Sequence, residues 1–125
     1  MNIYGQLDYC IEGCDYMKPI PKRLLIHNAV LRKKTDEDAW GKKSTNDIKL
    51  NYIRIDPSSK LVQDKQNKQL QLVAILFYDC KNSIPRAFNF EEGQRIIFNN
   101  VEFVITTIEY LYDERKLHHI ELGLV

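Results

Sequence analysis

The chain has 125 residues, 44% of them hydrophobic and 28% charged, with a formal net charge of +1. That length holds one hydrophobic core and not two. Near-neutral charge argues against a protein that works by coating nucleic acid with positive field, and no apolar run reaches the length that spans a bilayer.

Residues 1–16, MNIYGQLDYCIEGCDY, have neither a basic n-region nor a clean apolar run, so they do not read as a secretion signal. A short helix over residues 1–15 is the best helical candidate in a chain without a long helical stripe. Cys10 and Cys14 show C-x3-C spacing, but no second pair completes a tetrahedral zinc site. With Cys80 they make an odd count, which suits free thiols in a reducing compartment.

From residue 22 onward the pattern has period two and is rich in Val, Ile, Tyr and Phe, the signature of strands. RLLIHNAVLRK puts Leu25, His27, Ala29 and Leu31 on one face. IKLNYIRID sets Lys49, Asn51, Ile53 and Ile55 against Ile48, Leu50, Tyr52 and Arg54. QLQLVAILFYD is more continuously apolar, as a central strand buried on both faces would be. QRIIF, VEFVITTIEYL and LHHIELGLV follow, with Asn99-Asn100 placed for a two-residue hairpin turn. These elements predict an all-β fold: a small antiparallel barrel or sandwich of about six strands. Two connections exceed ordinary turn length. Residues 34–47 are polar and carry the only tryptophan, Trp40, beside Lys42 and Lys43, whereas 56–69 surround the apolar pair Leu61-Val62 with Lys, Gln and Asn. Loops of this length in a compact domain carry function or lack order.

FYDCKNSIP, residues 77–85, looks most like a catalytic stretch, with Cys80 between Asp79 and Lys81. A catalytic thiolate needs a base held within hydrogen-bond reach and a third group to orient that base. No local signature fixes His27, His118 or His119 there, so the segment reads as a turn between strands. The paired acids at 36–38, 91–92 and 113–114 are mixed with lysine or arginine and read as solvated faces. No phosphate-binding glycine loop exists. The sequence therefore implies no catalytic residues, no cofactor and no metal. A second reading is an oligonucleotide-binding barrel that stacks bases on Tyr52, Tyr78 or Tyr110 beside the basic stretches Lys18–Arg23 and Arg32–Lys34.

KPIPKRLLIH, DAWGK, YIRIDPSSKLVQDK, LFYDCKNSIP and VITTIEYLYDERKLHHIELGLV together resemble the minor capsid proteins of tailed phages of Gram-positive bacteria. That family looks like a branch of the head–tail joining proteins, also called head-completion or stopper proteins. The resemblance covers residues 17–125 as one domain and leaves 1–16 as an N-terminal extension. It implies a structural virion protein at the head–tail interface, assembled in the bacterial host cytoplasm, with no membrane partner. The implied partners are copies of itself in a hexameric or dodecameric ring, the portal and adaptor proteins, tail terminator or tail proteins, and packaged DNA in the channel. By position in such a fold, Lys60, Leu61, Val62, Gln63, Asp64, Lys65, Gln66 and Lys68 form the channel loop. Leu61-Val62 would pair with neighbouring subunits, and Trp40, Lys42 and Lys43 form an interface.

Overall fold

Alternating side chains give each strand one apolar face, and that face is buried most completely when a sheet curls and closes on itself. The computed structural model describes residues 18–33, 47–63 and 66–125. After a single 3-10 turn at Lys22–Leu24, the regular structure is all strand: β1 (His27–Arg32), β2 (Asp47–Pro57), β3 (Leu61–Gln63), β4 (Gln69–Gln71), β5 (Ala74–Asp79), β6 (Arg95–Phe98), β7 (Val101–Tyr112) and β8 (Leu117–Leu124). Six of them form a closed antiparallel barrel in the order β1-β2-β5-β8-β7-β6, with β6 returning to β1, and β3-β4 make a separate two-stranded sheet. Of the two architectures that the sequence allows, the barrel is the one formed.

The barrel is filled by Leu31, Leu50, Ile53, Leu76, Ile96 and Leu122, all without solvent contact. Tyr78 lies among them and crosses the Phe90 ring edge-on at 5.1 Å. Its hydroxyl donates to the Pro85 carbonyl, and burial pushes the phenol above its ordinary pKa. The Asn99-Asn100 turn forms as expected, with both residues at positive φ (50° and 63°), the conformation a type I′ turn requires.

Two strands depart from simple alternation. In β2, Leu50 and Ile53 both face the core, because β1 pairs Ala29 with Leu50 but His27 with Ile53, leaving one extra residue on β2. Tyr52 takes up that bulge at φ 56° and is turned outward. The run QLQLVAILFYD is not one central strand. Gln69–Gln71 pair with Leu61–Gln63, and only Ala74–Asp79 enter the barrel. Between them Val73 donates to Leu124 at 2.9 Å while Leu72 is buried elsewhere. The helix expected over residues 1–15 lies outside the described residues.

FYDCKNSIP is a turn, held by a buried carboxylate. Asp79 Oδ1 accepts from the Ile20 amide at 3.0 Å, and Oδ2 accepts from the amides of Lys81 (3.1 Å) and Asn82 (2.8 Å). The Asp79 amide donates to Ser83 Oγ at 2.8 Å, and that hydroxyl donates to the Tyr52 carbonyl. Asn51 and Ile84 exchange backbone bonds of 2.9 and 3.0 Å. The β2 bulge, the 80–85 turn and the entering segment at Ile20 are thus joined through one acid. Removing a partner from such a set leaves buried donors unsatisfied, at about 1–3 kcal/mol each. Asp79→Ala is expected to lower unfolding stability in urea by about 3 kcal/mol, and Asp79→Asn by less, because its one amide oxygen still accepts.

Candidate functional site

Segment 56–69 was expected as a loop and is instead the front of a hairpin. Val62 faces Leu70, with Leu61 opposite Gln71 and Gln63 opposite Gln69. Leu61 and Val62 therefore have a partner strand inside their own chain, which corrects the expectation of an unpaired strand waiting for a neighbour. Sequence reading missed the partner because it assigned Gln69–Gln71 to the barrel strand that follows.

The hairpin is firmly rooted. Ser58 donates to Val73 (3.0 Å) and Leu72 to Lys60 (2.9 Å). Lys60 Nζ lies 3.7 Å from Glu109 on β7. Leu72, only 2% exposed, rests on the outer barrel wall where Gly123 leaves room for it. A Cβ at Gly123 would overlap Thr107 Oγ1 and stand 3.0 Å from both Leu72 methyls. Between hairpin and wall runs a cleft of about 260 Å³ lined by Lys60, Val62, Gln63, Thr107 and Glu121 among others. Of the residues expected in a channel loop, Lys60, Leu61, Val62, Gln63, Gln66 and Lys68 are thus brought together on one hairpin. Asp64 and Lys65 lie outside the described residues, as do Trp40, Lys42 and Lys43.

At the other end of the barrel, a cleft of about 310 Å³ is lined by Pro19, Cys80, Lys81, Arg86, Asp113, Lys116, Leu117 and His118. Burial first, and the neighbouring Asp79 charge second, hold the Cys80 thiol above its ordinary pKa, opposite to what a nucleophile needs. His118 lines the same cleft, but its ring is engaged on both sides. Nε2 donates to the Lys18 carbonyl at 2.6 Å, and Nδ1 shares a hydrogen bond of 2.8 Å with His119 Nδ1. His119 Nε2 in turn lies 3.0 Å from Glu121. The two rings meet because β7 pairs Leu111 with His119 but Tyr112 with Leu117, which makes His118 the bulged residue. Asp113 closes the adjacent turn. Partial burial works to raise its pKa, but the amides of Arg115 and Lys116 outweigh that and hold it below the ordinary value. Among the described residues no cluster of His, Cys, Asp and Glu is placed to hold a metal.

The tyrosines proposed as stacking platforms are not gathered. Tyr78 is buried, and Tyr52 on β2 and Tyr110 on β7 are three strands apart around the barrel. The fold is a small closed β-barrel that carries one projecting hairpin. The chain belongs to the minor capsid protein family, whose model matches residues 21–124. It is a structural component of the phage particle. No curated relative and no solved structure matches it.

Two outcomes check this geometry. Gly123→Val is expected to loosen the hairpin root, with faster amide hydrogen exchange at Leu72 and Val73 and a stability loss of about 1–3 kcal/mol. Cys80, with its raised pKa, should alkylate several-fold more slowly than a free thiol at pH 7.5 and accelerate as pH rises, followed peptide by peptide by mass spectrometry.

Proposed function

We propose that this minor capsid protein is a head–tail connector subunit of the head-completion or stopper type. In this reading it forms a ring below the portal and adaptor, retains packaged DNA and docks the tail. The observation that carries the reading is the β3-β4 hairpin, a projection held to a rigid barrel by backbone bonds and the buried Leu72. Its exposed side chains are chiefly neutral amides with Lys60 and Lys68, groups suited to a phosphate backbone held without sequence preference.

The placement of the two long connections supports it. The hairpin follows Pro57, at one end of β2, and segment 34–46 rejoins the barrel at Asp47, at the other end. A subunit whose two long connections join opposite ends of one strand can meet one partner above and another below. In this reading Gln63, Gln66 and Lys68 face the channel, with Asp64 and Lys65 between them, and Trp40, Lys42 and Lys43 belong to the opposite contact with adaptor or tail.

Lys60 O and Leu72 N already share a hydrogen bond of 2.9 Å, so residues 61–71 can be replaced by two glycines while the barrel and Leu72 are kept. Particles assembled with this variant are expected to attach tails yet lose DNA before attachment. Full retention of DNA would refute the gate.

A further inference from the structure

The hydrogen bonds around His118 and His119 fix how many protons these side chains hold. His118 Nε2 lies 2.6 Å from the Lys18 carbonyl, which can only accept, so that nitrogen carries a proton. His119 Nε2 lies 3.0 Å from Glu121 Oε2, and the two Nδ1 atoms lie 2.8 Å from each other. All four imidazole nitrogens are taken up by these three contacts.

Two neutral imidazoles and an ionised carboxylate cannot make all three bonds. With Glu121 ionised, His119 Nε2 must donate to it. Both Nδ1 atoms are then bare, and their lone pairs face each other across 2.8 Å. One more proton removes the conflict. Placed between the Nδ1 atoms, it makes an imidazole–imidazolium pair. Placed on Glu121, it is donated to His119 Nε2, while His119 Nδ1–H donates to His118. Either way the three side chains hold three protons, shared as one unit.

The surrounding charges are mixed. On β7, Glu109 stands opposite Glu121, and a second negative charge there favours keeping the proton, although Lys60 Nζ lies 3.7 Å from Glu109. Asp113 lines the cleft on the His118 side, together with Cys80, Lys81, Arg86 and Lys116. On β5, Asp79 is the register partner of His119, but its oxygens are taken by three backbone amides. The His119 and Glu121 side chains are only 16% and 23% exposed, where a hydrogen bond is stronger than at the open surface.

We infer that His118, His119 and Glu121 form a proton-held clasp that fastens the entering segment, at Lys18, to β8. When the third proton passes to solvent, the facing lone pairs drive the imidazoles apart. His118 is the one that moves. It is the bulged residue near the start of β8, whereas His119 is held by Glu121 and lies beside Phe77. The Lys18 carbonyl then loses its donor. Ile20 stays pinned, because its amide donates to Asp79 and its carbonyl accepts from Asn82 at 2.7 Å. Pro19 thus separates a proton-dependent anchor from a second one that the histidines do not touch.

The test is NMR on the full-length chain labelled with 13C and 15N, titrated upward from about pH 7, where unperturbed imidazoles are mostly neutral. The imidazole 15N shifts and the Glu121 carboxyl 13C shift should together count three protons at the start. One proton should then leave in a step shared by His118 and His119. The Lys18 carbonyl shift should move in the same step, with the Ile20 amide unmoved. Two neutral imidazoles beside an ionised Glu121 at the start, or imidazoles that titrate independently, would overturn the proton count. A Lys18 carbonyl that stays still through a shared step would overturn the clasp. In His119→Phe, which removes the facing nitrogen beside Phe77, the Lys18 response should vanish; its persistence would assign it to another group and overturn the inference.

Discussion

The architecture depends on the hydrogen bonds that surround the Asp79 carboxylate. Burying a carboxyl group is costly unless its oxygens are met by donors, and here three backbone amides meet them. Those amides come from two separate stretches of chain. Asp79 therefore fixes the turn after β5 and pins the entering segment at Ile20. Its backbone amide donates to Ser83 Oγ, and that hydroxyl donates to the Tyr52 carbonyl in the β2 bulge. The bulge that turns Tyr52 outward comes from the β1–β2 register, and Ser83 ties it to the backbone of Asp79.

Closure has a second consequence. A closed barrel offers no sheet edge to a partner, so contacts must come from walls, projections or strands that outrun their neighbours. This chain has all three. The hairpin stands on the outer wall because Gly123 has no side chain where Leu72 lies. β7, with twelve residues, outruns β6, with four, and presents its own edge. These features are surfaces for contact, as suits a structural virion protein. The same geometry engages every nitrogen of the His118 and His119 rings, while burial raises the Cys80 thiol above its ordinary pKa.

Much of this was legible in the sequence. Period-two alternation with β-branched and aromatic residues determined the strand content, since only one face of each strand could be buried. Asn99-Asn100 determined a tight turn, because asparagine tolerates positive φ. Turn-forming residues after Asp79 marked FYDCKNSIP as a strand exit. Taken together, the same stretches carried the likeness to minor capsid proteins.

Other features were decided only by tertiary structure. Continuous apolar character in QLQLVAILFYD cannot show that Leu72 leaves the barrel for the outer wall, since burial on either side looks alike in sequence. Leu61-Val62 could be paired only by a strand whose register depends on the turn between them. The bulge at Tyr52 depends on β1 and β2 aligning with one residue in excess, which no local pattern records. The role of Asp79 depends on Ile20, fifty-nine residues away. Local periodicity determines which segments become strands and which face turns inward; contacts between distant segments decide where the alternation breaks and which surfaces are left for partners.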